Sequence, residues 1–173
     1  MPANIEIKAK IPDFACTRAL AEALSDTPVE TLTQEDTFFY LPASSSQGRL
    51  KLRQFSPSRG ELIFYRRDDC VGPKKCVYDI VPTDIPDSVK SVLAKALGVR
   101  GTVSKTRLLY RVGQTRIHLD KVNRLGEFLE LEVVLRSTQS ETEGQKIASA
   151  LMESLAVSKA DLIEGAYIDL LSQ

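Results

Sequence analysis

Six short segments of the chain carry charged side chains at every second position. In "NIEIKAK", residues 4 to 10, extended geometry puts Asn4, Glu6, Lys8 and Lys10 on one face and Ile5, Ile7 and Ala9 on the other. "GRLKLRQF" groups Arg49, Lys51 and Arg53, "SKTRLLYR" groups Lys105 with Arg107, and "TRIHLDK" groups Arg116, His118 and Asp120. "GEFLELEVV" sets Phe128, Glu130 and Glu132 against Leu129, Leu131 and Val133. "ELIFYRR" is less regular, with Leu62, Phe64 and Arg66 opposing Ile63, Tyr65 and Arg67. Converging carboxylates hold hard divalent cations such as Mg²⁺ or Mn²⁺, arginines grip phosphate oxygens in pairs, and lysines act as movable point charges. Such a set would extend a polyphosphate and spread the charge that develops as a phosphoryl bond breaks.

Two arrangements fit this alternation. Either the charged faces look into water from an open sheet with helices on its other side, or they line a wet interior while the apolar faces pack outward under helices. Two features favour the interior. The third and sixth strands offer only bases and the eighth only acids, whereas solvated faces mix the signs. Many cations converging in one cavity also need acids, water or an anion beside them, and a polyphosphate with its metal supplies that.

Period-two patterning recurs at 3-10, 37-42, 49-55, 61-67, 74-81, 104-112, 115-122 and 127-135, which makes eight candidate strands. Turn chemistry in "SPSRG", "VGPK", "VGQ" and "NRLG" joins several of them as antiparallel neighbours, and "LPASSSQG" reads as a hairpin connection. Helical patterns fall at 13-25, with Asp13 as N-cap, at 86-97 from Pro86 to a stop at Gly98, and in "SETEGQKIASALMESL" and "SKADLIEGAYIDLL". The expected fold is α+β: an eight-stranded, mostly antiparallel, closed β-barrel with helices packed outside, formed by one domain over residues 1-173. Tyr65 and Tyr110 are expected to pack outward, and "LIEGAYIDLL" to form an amphipathic helix on the barrel.

Lys plus Arg (23) balances Asp plus Glu (23), which argues against wholesale attraction to nucleic acid or an anionic membrane. The cysteines, Cys16, Cys70 and Cys76, are odd in number and lack metal-ligand spacing, and no leader or long apolar run is evident. A cytoplasmic protein with reduced thiols, monomeric or homodimeric, is expected.

In its residues the chain resembles the CYTH superfamily, the triphosphate tunnel metalloenzymes, which include class IV adenylate cyclases, thiamine triphosphatases and inorganic triphosphatases. "NIEIKAK" resembles the family's ExExK signature, and "QEDTFFYLP", "GRLKLRQF", "ELIFYRR", "VSKTRLLYRVGQTRIHLD" and "LGEFLELEVV" follow in family order over most of residues 4-135. The resemblance implies that Glu6, Glu130 and Glu132 hold divalent metal, with Asp120 facing the same site as a further catalytic carboxylate. It places Lys8, Arg53, Arg66, Lys105 and Arg107 among the phosphate-gripping bases, joined by Lys51 and Arg116. His118, the single histidine, faces inward with Asp120 and is either a hydrogen-bonded structural group or a site residue.

Asn4 departs from the pattern by standing where the family has its first Glu. Loss of an anionic ligand there would change metal preference, delete one metal position, or abolish turnover. The implied activity is a Mg²⁺- or Mn²⁺-dependent hydrolase of inorganic tripolyphosphate or an organic triphosphate. A class IV-type adenylate cyclase making cyclic AMP and pyrophosphate from ATP is the alternative, and a non-catalytic polyphosphate- or nucleotide-binding module is a third. Without Trp, a thiazolium-stacking pocket would need Phe or Tyr, which counts against thiamine triphosphate.

Overall fold

The computed structural model of the chain describes residues 2-45 and 47-172. Eight strands run as β1 (Ala3–Lys10), β2 (Glu30–Phe39), β3 (Arg49–Ser56), β4 (Arg59–Arg67), β5 (Lys74–Thr83), β6 (Val99–Val112), β7 (Thr115–Val122) and β8 (Gly126–Val134). They close into a barrel in the order β1-β5-β4-β3-β2-β6-β7-β8, and every neighbouring pair is antiparallel. The helices α1 (Phe14–Leu24), α2 (Pro86–Leu97), α3 (Glu141–Ser154) and α4 (Tyr167–Leu171) lie outside the strands. Asp13 caps α1 by accepting from the Cys16 amide, and Ser140 and Glu143 form a reciprocal capping box on α3. None of the helices among the described residues is long and apolar enough to cross a membrane.

The apolar faces turn outward and the charged faces inward. Ile5, Ile7, Ile117, Leu119, Leu129, Leu131 and Val133 are fully buried, in one cluster with Ala21 of α1 and with Ala148, Met152 and Leu155 on and just after α3. Burying each such side chain stabilises by roughly 1.5–3 kcal/mol, so the outer surface of β1, β7 and β8 is the protein's main core. Close approach of α3 depends on Gly144, where an added Cβ would fall 2.7 Å from Ile5 Cγ1 and 2.6 Å from Leu135 Cδ2.

Three expectations need correction. The second strand spans Glu30–Phe39 rather than 37-42; its polar run "ETLTQED" looks like a loop, yet it pairs with β6 from Glu30↔Leu109 to Phe39↔Val99. β6 is correspondingly longer than expected. The C-terminal stretch is not one amphipathic helix: a 3₁₀ turn at Lys159–Asp161 precedes an extended segment, with a bridge between Ala9 and Leu162, and then the short α4. Tyr65 faces the barrel interior, because β4 turns Ile63, Tyr65 and Arg67 inward, whereas Tyr110 packs outward as expected. "LPASSSQG" joins β2 to β3, and its Ser46 lies outside the described residues.

Candidate active site

Closure sets the strand of bases β3 and the strand of bases β6 on either side of β2, whose Asp36 faces inward between them. Arg53 donates from Nε and Nη2 to the two oxygens of Asp36, each at 2.8 Å, and Lys51 Nζ donates to Oδ2 at 2.9 Å. Lys105 Nζ stands 4.0 Å from the same carboxylate. Burial alone would raise the Asp36 carboxyl, but Arg53, Lys51 and Lys105 hold it well below the usual carboxylate range. One buried anion therefore fixes two bases and faces a third.

On the adjoining strands β6 and β7, Arg107 donates to both oxygens of Asp120 at 2.6 Å, and the Tyr167 hydroxyl donates to Oδ2 at 2.9 Å. Lys8 Nζ lies 2.9 Å from Glu130 Oε2, and Arg116 Nη2 lies 2.7 Å from Glu132 Oε2. Burial opposes ionisation of Asp120 and Glu130, yet Arg107 and Lys105 hold the first low and Lys8 and Arg107 hold the second low. Glu6 accepts from Arg67, which also donates to the Gly165 carbonyl.

Lys105 is paired most loosely of these bases, 3.6 Å from Asp120 and 4.0 Å from Asp36. Burial, with Arg107 beside it, pushes its ammonium down to about 7. Burial and the same Arg107 also lower His118.

One end of the barrel is closed by the C-terminal segment. Tyr167 enters below the tunnel, its ring 5.1 Å from that of Phe128, with Lys8 Nζ 4.0 Å above its centroid. The Ile163 amide bonds to the Lys8 carbonyl at 3.0 Å and ties the segment down. Strand register places Glu30, Arg59, Glu61, Arg111 and Arg116 around the other, open end. Between them lies a cavity of about 290 Å³.

His118 pairs with Glu130 across β7 and β8, and Glu132 is the next inward residue on β8. Among the described residues these are the three metal-ligating side chains whose donor atoms converge, all within 4.8 Å of one another. Hard carboxylate oxygens beside buried, partner-free donor atoms suit a divalent cation. Asn4 is 3% exposed, lines the cavity, and its Oδ1 has no hydrogen-bond partner.

The CYTH domain model matches residues 2–167. The chain belongs to the CYTH family. Among curated proteins this CYTH domain is 27% identical to the adenylate cyclase CyaB of Aeromonas hydrophila over 176 residues, 98% of this chain and 89% of that one. Its fold superposes on the PH1012 protein of Pyrococcus horikoshii OT3 with a TM-score of 0.84 at 23% identity, covering 96% and 98% of the two chains. A more distant likeness in fold is HpAC1 of Hippeastrum, a candidate adenylyl cyclase with a dominant triphosphatase activity, at a TM-score of 0.63 and 19% identity over 89% and 88%.

Of the residues singled out in the sequence, Asn4, Glu6, Lys8, Lys51, Arg53, Lys105, Arg107, Arg116, His118, Glu130 and Glu132 line the CYTH cavity. Two do not. Asp120 is buried behind Arg107 and Tyr167 and acts on the cavity through them. Arg66 is exposed and points away, because the inward face of β4 is that of Arg67. Sequence reasoning also missed Asp36, which the alternation Gln34, Asp36, Phe38 carries, and Tyr167, for which no local pattern exists.

Arg66→Ala should therefore leave tripolyphosphate affinity within about twofold, as for ordinary surface changes. Arg67→Ala should cost roughly 1–3 kcal/mol of stability by leaving Glu6 with only Lys8, 3.9 Å away. Calorimetric titration and urea unfolding of the two variants check this; the opposite ranking would return Arg66 to the tunnel.

Proposed function

We propose that the chain is a divalent-metal-dependent hydrolase of triphosphate compounds, which enter by the open end with the terminal phosphate leading. The observation that carries this reading is the interior itself: bases held in place by buried carboxylates around a cavity of about 290 Å³. Cavities that enclose drug-sized ligands begin at about 300 Å³, so this one suits a polyphosphate chain with any organic substituent left at the mouth.

The fixed guanidiniums of Arg53 and Arg107 present donors to phosphate oxygens without needing to be ordered, which preorganises the tunnel. Lys8, Lys51 and Lys105 lie toward the Tyr167 end, where they would neutralise the terminal phosphoryl group. A divalent cation, Mg²⁺ or Mn²⁺, held by Glu130 and Glu132, supplies polarisation of a phosphoryl oxygen and an acidified water. In the reaction a water oxygen bonds to the terminal phosphorus as the bridging P–O bond breaks, the bonding pair leaves on the diphosphate oxygen, and the water's proton goes to an oxygen of the released phosphate or to solvent. Arg53, Arg107 and Arg116 are the bases nearest that leaving group, and they would hold it in line.

A second reading, adenylate cyclase, is favoured by the likeness to CyaB across 98% of the chain. It requires the ribose 3'-hydroxyl to reach the α-phosphorus. Release of phosphate, pyrophosphate and cyclic AMP from tripolyphosphate and ATP, with Mg²⁺, Mn²⁺ or Ca²⁺, separates the two. Phosphate supports hydrolysis, cyclic AMP with pyrophosphate supports cyclisation, and silence with both substrates overturns the hydrolase reading for these substrates.

Lys105 gives the tunnel a pH dependence. In the free protein its ammonium ionises at about 7, and a bound polyphosphate favours the charged form. At pH 8 binding must then take up a proton, and affinity should fall by up to about tenfold per pH unit above 7. Calorimetry in buffers of different ionisation enthalpy counts that proton, with Lys105→Met as the comparison that removes the tripolyphosphate's own contribution. Equal proton uptake by both proteins would rule Lys105 out.

A further inference from the structure

We propose that His118 is a direct metal ligand, and that with Glu130 and Glu132 it makes a site selective for a first-row divalent transition metal over Mg²⁺. This rests on reading the tunnel as metal-dependent, and it concerns which ion the chain takes and through which atoms.

His118 Nδ1 lies 3.8 Å from Glu130 Oε1 and 3.9 Å from Glu132 Oε1. These distances are too long for hydrogen bonds, which need about 2.7–3.2 Å. They exceed by about half an ångström the roughly 3.0–3.4 Å between neighbouring ligand atoms each bound at about 2.1 Å to one ion, so a small inward shift of these side chains brings all three into one coordination shell. The nitrogen is also an orphan: the side chain is 5% exposed, and Nδ1 has no hydrogen-bond partner. A buried polar atom left unpaired is costly, and a ligand that pairs it removes that cost.

The carboxylates are turned to suit. Glu130 gives its other oxygen, Oε2, to Lys8 at 2.9 Å, and Glu132 gives its Oε2 to Arg116 at 2.7 Å. Each pairing fixes its carboxylate so that Oε1 remains for Nδ1 to face, the kind of outer support that orients metal ligands. All three residues sit on adjacent, directly paired strands, so the set is rigid.

Glu6 stands outside this set. It is opposite Glu132 in the β1–β8 register, but its carboxylate accepts from Arg67, with Lys8 Nζ 3.9 Å away. Glu6 is not among the converging donors, and Asn4 is neutral, so the first strand adds no carboxylate to the set. One imidazole nitrogen and two carboxylate oxygens remain. Mg²⁺ prefers an all-oxygen shell and keeps its waters, whereas Mn²⁺, Co²⁺ and Zn²⁺ accept imidazole readily.

Because the chain has a single histidine, ring signals of untagged protein labelled with ¹⁵N-histidine belong to His118 alone. Saturating Zn²⁺ should move the Nδ1 resonance to that of a metal-bound nitrogen, and Mg²⁺ should not. By calorimetry the protein should bind Co²⁺ at least about tenfold tighter than Mg²⁺, and His118→Asn should shrink that ratio at least about tenfold. Zn²⁺ binding with Nδ1 unmoved, equal Co²⁺ and Mg²⁺ affinities, or an unchanged ratio in a folded variant would each overturn the proposal. Tripolyphosphate hydrolysis is followed in parallel. A chain that takes Zn²⁺ on Nδ1 but hydrolyses nothing keeps the metal site and loses the hydrolase reading; hydrolysis with Mg²⁺ while Zn²⁺ leaves the ring unmoved does the reverse.

Discussion

Glu132→Gln is expected to lower kcat/KM for tripolyphosphate by roughly 100-fold or more while leaving stability within about 1 kcal/mol of the parent. The two effects separate because Glu132 sits between two jobs. Its Oε2 pairs with Arg116, whose side chain is 31% exposed, and a partly solvated pair contributes little to folding. The amide also keeps the volume of the acid and an oxygen that still accepts from Arg116. Its Oε1 faces the His118 nitrogen, where the lost negative charge is one that a divalent cation would have met. A 100-fold loss corresponds to about 2.7 kcal/mol of transition-state stabilisation, far more than the folding term. Turnover measured across a metal titration, beside urea unfolding of both proteins, checks the split. Parent-like turnover at limiting metal would remove Glu132 from the metal site; a collapse in stability would recast it as structural.

Period-two alternation grouped Lys51 with Arg53, Lys105 with Arg107, and Glu130 with Glu132 on common faces, and the structure keeps all three groups. What alternation could not show was which face is the inside, since a solvated sheet and a charged barrel have the same period. That choice came from sign segregation and from resemblance to a family. β4 misled for a local reason: both of its faces mix apolar residues with one arginine, so nothing in "ELIFYRR" prefers Arg67 over Arg66. Asp36 was hidden by a strand placed too late, although the strand's own parity carries it.

The closest contacts of the site were beyond reach because they depend on register. His118 meets Glu130 only through the pairing of β7 with β8. Tyr167 reaches Asp120 across 47 residues, from a segment whose apolar spacing resembles an ordinary surface helix. Segregated charge proved to be a property of single strands, because closure sets Asp36, Asp120, Glu130 and Glu132 against Arg53, Arg107, Lys8 and Arg116.

Asp120→Asn, by contrast, is expected to destabilise the barrel by about 3–5 kcal/mol, the range seen when a buried ion pair loses one partner. Asp120 has no exposure and accepts from Arg107 twice and from Tyr167 once, with Lys105 3.6 Å away. The variant leaves the Arg107 charge buried with Glu130 as its nearest anion, at 3.6 Å, and it turns amide hydrogens toward a group that only donates. Acid titration should expose the same interaction in the parent. The folded-state pKa of Asp120 is depressed, as are those of Asp36 and Glu130, so their stabilisation is present above the unfolded values near 4 and lost as pH falls below them. Each such carboxylate steepens the loss by up to about 1.4 kcal/mol per pH unit, and Asp120→Asn should remove one share of that slope. Urea unfolding of parent and variant between pH 3 and 7 measures both quantities. Parallel curves would mean that Asp120 does not take up its proton on unfolding, and a variant as stable as the parent at pH 7 would mean that Arg107 does not depend on it.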